Sequence, residues 1–180
     1  MAFEFKKLSI EGLLLIKPQR FGDTRGWFQE TFKASAFASE GFGEDFVQDN
    51  ISLSSRGTLR GLHFQNEPYA QGKLVQVLHG RGWDVAVDLR PKSPSFGKWH
   101  GLELSAAVPQ LFYIPAGFAH GFVALEDNTL FSYKCTKEYN KASEGGVRWN
   151  DPEVAITWPL QDVTLSEKDG LLPLLKDVPQ

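Results

Sequence analysis

The sequence of 180 residues predicts an all-β fold, arranged as one antiparallel β-sandwich or jelly-roll barrel with a few short helices. Short apolar runs are separated roughly every 8 to 15 residues by Gly, Pro, Asn, Asp or Ser, a spacing typical of strands and turns. Aromatic residues, which favour strands, make up 13% of the chain. The segment GWDVAVDLR (82–90) alternates with period two, with Trp83 and Val85 on one face and Asp84 and Ala86 on the other.

The predicted strands follow one another along most of the chain. In order they are GLLLIK (12–17), GWFQETF (26–32), DFVQDNISL (45–53), GTLRGLHFQ (57–65), KLVQVLHG (73–80), GWDVAVDLR (82–90), KWHGLELS (98–105), QLFYIP (110–115), GFVAL (121–125), TLFSYKCT (129–136) and AITWP (155–159). SPSFG (93–97) and IPAGFAHG (114–121) are interpreted as turns because Gly and Pro interrupt them. Only KASAFASE (33–40) and SEKDGLLPLLKD (166–177) look helical, the second with Ser166 as its N-cap.

Composition and charge limit the setting and the partners. No repeat, low-complexity tract or linker divides the chain, so residues 1–180 are expected to form one domain. The formal net charge of −3 argues against duplex nucleic acid or an anionic membrane as the main partner. The lone Cys135 allows no internal disulfide, and MAFEFKKLSI has no continuous apolar run, so we expect a reducing cytoplasm. Apolar clusters such as GLLLI are far shorter than the roughly 18 residues that cross a bilayer.

Polar side chains interrupt the apolar faces of two predicted strands. In WFQETFK, alternation places Glu30 on the same face as Phe28 and Phe32. In FVQDNIS it places Gln48 and Asn50 on the face that also carries an aromatic residue. Any one of these polar groups is equally well explained as a satisfied core or edge residue. Together they indicate a polar surface inside the barrel.

His63 and Arg60 in GTLRGLHFQ extend this pattern, because both residue types are costly inside a protein unless they have a partner or a function. The strands of one barrel can direct such side chains to a single polar cavity. The candidate lining residues are Glu30, Gln48, Asn50, Arg60, His63, Lys73, His120 and Tyr133.

These candidates favour acid and base chemistry over metal or covalent chemistry. The histidines His63, His79, His100 and His120 are isolated, with no His-x-His pair and no Cys cluster, so a metal site is disfavoured. Cys135 has no evident activating neighbour, and no Gly-x-Ser-x-Gly motif is present. What remains is proton transfer on a bound anionic ligand. Its positive counter-charges would be Arg25, Arg60, Lys73 and Lys168.

A series of motifs then resembles one known family in order and spacing over nearly the whole chain. The motifs are FGDTRGWFQETF, QDNISLSSRGTLRGLHFQ, QGKLVQVLHG, DVAVDLRPKSPSFGKW, IPAGFAHGF, YKCTKEY, SEGGVRWNDP and SEKD. They resemble the dTDP-4-dehydrorhamnose 3,5-epimerase family. The resemblance implies a cupin-type jelly-roll homodimer that uses neither a metal nor another cofactor. It further implies conversion of dTDP-4-dehydro-6-deoxy-D-glucose into dTDP-4-dehydro-L-rhamnose, the third step of dTDP-L-rhamnose biosynthesis for cell-wall polysaccharide.

The resemblance also assigns catalytic roles. The protons at C3 and C5 of the sugar are both α to the C4 ketone, so one base that reaches each in turn can invert both centres through enolates. His63 matches the family's base, and Asp169 would hold its tautomer and stabilise the imidazolium. Tyr133 matches the acid on the opposite face, and Lys73 is the matching stabiliser of the enolate oxygen.

The remaining matched positions would bind the substrate. Arg25, Arg60 and Lys168 resemble contacts to the diphosphate or sugar, and Tyr139 would stack on thymine. The thymidine and sugar ends would be lined by Phe28, Glu30, Gln48, Asp49, Asn50, His120 and Glu144. Around the stacking residue the chain departs from the family's pattern, because EYNK stands where members often carry a second tyrosine and a proline.

Three alternatives remain at this stage. An enzyme that inverts only C3 or only C5 of a dTDP-4-keto-deoxysugar would share the same base and acid. A non-catalytic cupin that binds a nucleotide sugar would not need the opposed base and acid. A metal-dependent cupin oxygenase would need a metal site. For the homodimer, the strand GLLLIK is the segment expected to pair with a partner chain.

Overall fold

The computed structural model describes residues 2–43 and 45–178, whose strands form two antiparallel sheets and a separate two-stranded ribbon. The strands are β1 (Phe3–Lys7), β2 (Leu14–Pro18), β3 (Arg20–Asp23), β4 (Gly26–Gln29), β5 (Gln48–Ser54), β6 (Leu59–Gln65), β7 (Lys73–His79), β8 (Arg81–Asp88), β9 (Trp99–Ser105), β10 (Leu111–Ile114), β11 (Phe118–Ala124), β12 (Thr129–Cys135) and β13 (Glu144–Gly146). The helices are α1 (Ala34–Ser39) and α2 (Glu167–Gly170), with short 3-10 turns at Lys141–Ser143 and Leu175–Asp177. The predicted all-β jelly-roll class with a few short helices is confirmed.

The two large sheets face each other across one apolar core. The six-stranded sheet has the order β1-β2-β10-β7-β12-β5, and the five-stranded sheet has the order β13-β6-β11-β8-β9. Val75 and Phe131 from the first sheet pack against Ala86 and Phe122 from the second, all of them buried. Phe122 and Phe131 stack with ring centroids 3.7 Å apart. This contact between side chains of the two sheets closes the barrel beside the polar cavity described below.

Both faces of β8 are buried, so the alternation of its residues separates two faces without showing that neither face meets solvent. Ala86 points into the core between the sheets, whereas Val85 and Val87 pack outside the five-stranded sheet against Trp158 and Leu175. The segment that follows β13 therefore covers the outer face of this sheet. An alternating strand predicts two faces but not which of them meets solvent.

Several predicted boundaries are wrong for identifiable reasons. AITWP is not a strand: Ala155 has a positive φ of 50°, and Trp158 instead packs outside the five-stranded sheet. The C-terminal helix stops at Gly170 and is followed by a separate 3-10 turn, because Pro173 lacks the N–H that a helix needs. IPAGFAHG is a turn only in its first part, since β11 begins at Phe118. Strands β1, β3 and β13 had not been predicted.

The ribbon of β3 and β4 overturns the predicted inner face of WFQETFK. β4 ends at Gln29 and pairs with β3 within an isolated two-stranded sheet, so Trp27 and Phe28 are 61% and 65% exposed. Phe32 lies beyond the strand and packs against Phe37 of α1 instead. Glu30 therefore does not share a buried face with Phe28 and Phe32.

The edges of the six-stranded sheet are β1 and β5, not the strand within GLLLIK. β2 lies between β1 and β10, so its backbone is paired on both sides. The expectation that this strand pairs with a partner chain is therefore wrong. Across residues 2–43 and 45–178, the helices are all too short to span a bilayer.

Candidate functional site

A polar cavity with two lobes lies between the sheets, and both lobes are lined by His63, Lys73 and Tyr133. The first, here called the histidine lobe, has a volume of about 420 Å³. It is also lined by Ser52, Thr58, Leu59, Arg60, His120, Phe122, Thr164, Leu165, Ser166, Lys168 and Asp169. The second, here called the amide lobe, has a volume of about 290 Å³. It is also lined by Gln48, Asn50, Phe64, Gln65, Gln71, Cys135, Tyr139 and Glu144.

His63 and Asp169 form a hydrogen-bonded pair at the wall of the histidine lobe. His63 Nε2 lies 2.7 Å from Asp169 Oδ1, and the Asp169 side chain is almost fully buried. Burial opposes ionisation of this carboxyl, but the hydrogen bond and charge of His63, together with the Gly61 amide, bring its pKa below the usual value. An ionised carboxylate only accepts, so Nε2 carries the hydrogen and Nδ1 is left as the basic nitrogen.

Two local features position this pair. Ser166 caps α2 by accepting the Asp169 N–H at 3.1 Å, which fixes the backbone of the carboxylate residue. Gly61 has φ +125° and donates its N–H to Asp169 Oδ2 at 3.3 Å. A Cβ at Gly61 would lie 2.6 Å from Gly121 Cα, so only glycine allows β6 to approach β11 this closely. The same ladder pairs His63 with His120.

Lys73 and Tyr133 reach the cavity from the six-stranded sheet, opposite the sheet that carries His63. Lys73 Nζ donates to the His63 carbonyl oxygen at 3.4 Å, so its ammonium lies beside the histidine backbone. Burial lowers the pKa of Lys73, although Cys135 and Asp84 partly oppose this shift. Burial raises the pKa of the Tyr133 phenol, so its hydroxyl is neutral and can donate a proton at pH 7.

A second histidine–carboxylate pair lies deeper in the barrel. His120 Nε2 lies 2.9 and 3.0 Å from the two carboxylate oxygens of Asp84, and both side chains are buried. Burial lowers the pKa of His120, so its imidazole is neutral at pH 7, and burial raises the pKa of Asp84. The ring of His120 lies 6.4 Å from that of Tyr133. The pair thus supplies a neutral imidazole to the wall next to the phenol.

A carboxylate links the mouths of the two lobes. Glu144 accepts from Lys168 Nζ and from the Tyr139 hydroxyl, the latter at 3.1 Å. Burial opposes the shift, but these two partners lower the pKa of Glu144 and keep it ionised. Arg60 in the histidine lobe donates from Nε to Ser54 Oγ at 3.2 Å. Arg60 and Lys168 therefore place two cations in the histidine lobe, which suits an anionic ligand.

The amide lobe contains a row of hydrogen-bonded side chains. Gln48 accepts the Tyr139 N–H at 2.7 Å and donates to Asn50 Oδ1 at 3.0 Å, and Asn50 in turn lies 3.6 Å from Cys135 Sγ. Gln48 and Asn50 point inward from β5, as alternation predicted, and their neighbours on the strand point outward. Donors and acceptors arranged in a row can read the polar edge of a planar ligand.

The structure brings most of the predicted site residues to this cavity. Those that line it are His63, Tyr133, Asp169, Lys73, Gln48, Asn50, Arg60, His120, Tyr139, Glu144 and Lys168. Arg25, Phe28 and Glu30 do not line either lobe: Arg25 is exposed at the ribbon and pairs with Asp23. Asp49 lies on the outer face of β5, where it accepts from Lys134 Nζ at 2.8 Å.

Sequence reasoning missed two polar residues that shape the site. Asp84 was placed on a face of β8, but nothing local indicated that this face lies inside the barrel against His120. Gln65 was not singled out, although alternation along β6 puts it on the face of His63. Among residues 2–43 and 45–178, no three His, Cys, Asp or Glu side chains are grouped as ligands for a metal ion.

The chain is similar to known proteins over nearly its whole length. A family profile described as dTDP-4-dehydrorhamnose 3,5-epimerase matches residues 7–177. The dTDP-4-dehydrorhamnose 3,5-epimerase of Escherichia coli K12 is 50% identical over 174 residues, which cover 96% of this chain and 94% of that protein. A solved dTDP-6-deoxy-D-glucose-3,5-epimerase of Legionella pneumophila, in complex with dTDP-4-keto-L-rhamnose, has a TM-score of 0.95 and 45% identity and covers 98% and 95% of the two chains.

A solved enzyme with a narrower activity is also similar. It is a 3′-monoepimerase from Streptomyces bikiniensis in complex with dTDP-quinovose, with a TM-score of 0.89 and 36% identity over 94% of this chain and 86% of that one. These likenesses agree with the cupin-type jelly roll and with the resemblance found in the motifs. The chain belongs to the dTDP-4-dehydrorhamnose 3,5-epimerase family of isomerases.

Proposed function

We propose that this chain, acting as one domain, epimerises dTDP-4-dehydro-6-deoxy-D-glucose at C3 and C5 to give dTDP-4-dehydro-L-rhamnose. Membership of a family of isomerases favours an isomerase over a non-catalytic binding module or a metal-dependent oxygenase. The relatives named for this reaction match the chain over almost its full length. The reaction belongs to the biosynthesis of dTDP-L-rhamnose.

One observation supports the proposed mechanism above all: His63 and Tyr133 line the same cavity from opposite sheets. Inversion of a carbon requires a proton to leave one face and another to arrive on the opposite face. His63 Nδ1, kept basic by the hydrogen bond from Nε2 to Asp169, removes the proton that is α to the C4 ketone. The electron pair of the C–H bond moves into the enolate, and the Tyr133 hydroxyl returns a proton to carbon from the other wall.

The enolate oxygen needs a compensating charge during each step. Lys73 lies next to His63, with its ammonium donating to the His63 carbonyl oxygen, and is the cation best placed for this role. The same set of residues serves C3 and C5, because both carbons flank the one ketone. After each inversion, exchange with solvent restores the proton of Tyr133 and removes the proton of His63, so the pair is reset before the second carbon reacts.

The two lobes suit the two ends of a nucleotide sugar. Arg60 and Lys168 would contact the diphosphate, and His120 would contact the sugar. Gln48, Asn50 and Glu144 would contact the thymidine end, with Tyr139 stacked on the base. The exposed ring of Tyr139 at the amide lobe supports this arrangement, since an unpacked aromatic face is available to a ligand.

A homodimer would give a role to three predicted residues that lie outside the cavity. Trp27 and Phe28 of the ribbon are exposed, and so is Ile51 on the outer face of the edge strand β5. Burying such large apolar side chains against a second copy would be favourable. Arg25, Phe28 and Glu30 would then contact substrate bound to the partner subunit. The cytoplasmic location also stays a prediction.

A single-site epimerase is the second candidate, since the 3′-monoepimerase from Streptomyces bikiniensis is similar in fold. Both candidates are tested by incubating the protein with the 4-keto substrate in deuterated water and reading label at C3 and C5 separately. The proposed function predicts label at both carbons together with L-rhamno product. Label and inversion at one carbon only would favour the single-site enzyme, and no label at either carbon would refute both.

A further inference from the structure

Gln65, the last residue of β6, uses its side chain to hold the backbone of two loops together. Gln65 is buried, with only 7% of its surface exposed. Nε2 donates to the Tyr69 carbonyl oxygen at 2.7 Å and to the Glu138 carbonyl oxygen at 3.3 Å, and Oε1 accepts the Asn140 N–H at 2.7 Å. Both N–H groups and the oxygen are thus engaged with backbone atoms, so the side chain ties the two loops to each other.

These bonds surround Tyr139. The carbonyl before it and the N–H after it are both bound by Gln65, while its own N–H is bound by Gln48 at 2.7 Å. The Tyr139 side chain itself is 53% exposed, with its hydroxyl donating to Glu144. Its orientation is therefore set mainly by the backbone of residues 138–140. Glu144 faces Gln65 across the backbone ladder of β13 and β6, and its carboxylate accepts the Tyr139 hydroxyl, so ordering Tyr139 also orders this carboxylate.

We propose that Gln65 is a positioning residue that orders Tyr139 and Glu144 before the nucleotide binds. This inference rests on the proposed function, since it takes the thymidine end of the nucleotide as the ligand of the amide lobe. A binding site that is already ordered avoids the entropy loss of fixing its loops during binding. Gln65 acts through Tyr139, so removing its hydrogen bonds weakens nucleotide binding without touching the atoms that transfer protons. A glutamine is required because one end must donate to two carbonyl groups while the other accepts an N–H.

The test compares the affinity of dTDP, measured by titration calorimetry, for wild type, Gln65→Met, Tyr139→Ala and the double variant. Methionine fills a similar volume but makes none of the three hydrogen bonds. Loss of base stacking should weaken binding to Tyr139→Ala about 5- to 150-fold. We expect Gln65→Met to weaken dTDP binding at least about fivefold. The affinity of the double variant should be no more than about twofold below that of whichever single variant binds dTDP less tightly. In Gln65→Met, the rate of deuterium incorporation at saturating substrate should stay within about threefold of the wild-type rate.

Two controls separate this role from general destabilisation. Thr129→Val also removes a buried side chain's hydrogen bonds to two carbonyl groups, those of Arg81 at 3.1 Å and Glu126 at 2.8 Å, but Thr129 lines neither lobe. It should lower thermal stability and leave dTDP affinity unchanged. Gln65→Glu keeps the acceptor but faces two carbonyl groups with a carboxylate. Burial beside two carbonyl oxygens raises the pKa of the introduced carboxyl. Its dTDP affinity relative to wild type should therefore recover as pH falls from about 7.5 to about 5, because the protonated carboxyl donates again.

The affinity measurements distinguish failure of the positioning role from failure of the proposed function. Unchanged dTDP affinity in Gln65→Met, or losses that simply add to those of Tyr139→Ala, would overturn the positioning role. Loss of affinity in Thr129→Val equal to that in Gln65→Met would also overturn it, because instability alone would then explain both. Failure of wild type to bind dTDP would instead overturn the proposed function on which the inference rests.

Discussion

Replacing Asp169 with asparagine removes the charge of the carboxylate while keeping its shape. In the native site Oδ2 accepts the Gly61 N–H at 3.3 Å, and Oδ1 lies 2.7 Å from His63 Nε2. The asparagine oxygen must stay on the Gly61 N–H, because an amide nitrogen cannot accept it. The amide NH₂ then faces His63, which forces Nε2 to accept and moves the ring hydrogen to Nδ1. The nitrogen proposed as the base is therefore blocked.

The size of the effect follows from this change of tautomer. The same replacement next to a catalytic histidine in serine proteases lowers kcat by about 10⁴. A loss of about 10⁴ corresponds to about 5.5 kcal/mol of activation free energy. We expect the initial rate of deuterium incorporation in Asp169→Asn to fall by about this factor at C3 and C5 alike, because one base serves both carbons.

The assay is NMR detection of label at each carbon in deuterated water, with thermal unfolding and dTDP affinity measured alongside. Affinity for dTDP should stay within about threefold of wild type, because the Asp169 carboxylate bonds to His63 and Gly61, and neither is among the residues proposed to contact the nucleotide. A loss of less than about tenfold would refute the tautomer argument. A loss confined to one carbon would show that the two carbons use different bases.

Two further predictions concern groups outside this pair. Lys73→Met should lower kcat by about 100- to 1000-fold, the cost of removing one donor to an oxyanion, whereas a loss below about fivefold would assign Lys73 to binding. Asp88 accepts from Arg90, Ser93 and Ser95, and although burial opposes ionisation, these partners lower its pKa from 3.8 to about 2. Because the folded pKa is the lower one, Asp88 contributes about 2 kcal/mol to folding above pH 4, and this is lost as pH falls through about 2. In denaturant unfolding, the free energy of unfolding of Asp88→Asn should therefore fall less than that of wild type as pH is lowered from about 4 to about 2. The same pH dependence in both proteins would contradict this contribution of Asp88.

The strands were predictable where local pattern and local structure coincide. Period-two alternation placed Gln48 and Asn50 on the inner face of β5, because that strand has one outer and one inner face. The same rule failed for Phe28 and Glu30, since alternation reveals neither that Phe28 lies in an exposed two-stranded ribbon nor that the strand ends before Glu30. It was equally uninformative for Asp84, which lies in a strand buried on both faces.

The site itself depends on contacts that no local pattern encodes. His63 and Asp169 are 106 residues apart in the chain and meet only because α2 docks beside β6. Their pairing was expected from family resemblance, not from periodicity. The backbone role of Gln65 is of the same kind, since its partners lie in loops whose paths follow from the tertiary fold.

The proposed mechanism places a base and an acid on opposite walls of one cavity, and the variant Tyr133→Phe separates their roles. The measurement is the ratio of deuterium incorporated to L-rhamno product formed in deuterated water, for wild type and variant. Without the phenol, His63 still removes a proton and returns a deuteron to the same face, so we expect continued labelling with product formation slowed by about 10²- to 10⁴-fold. The ratio should therefore rise by a large factor. An unchanged ratio, with labelling and inversion reduced in equal proportion, would contradict the opposed-wall mechanism and leave Tyr133 as a packing residue.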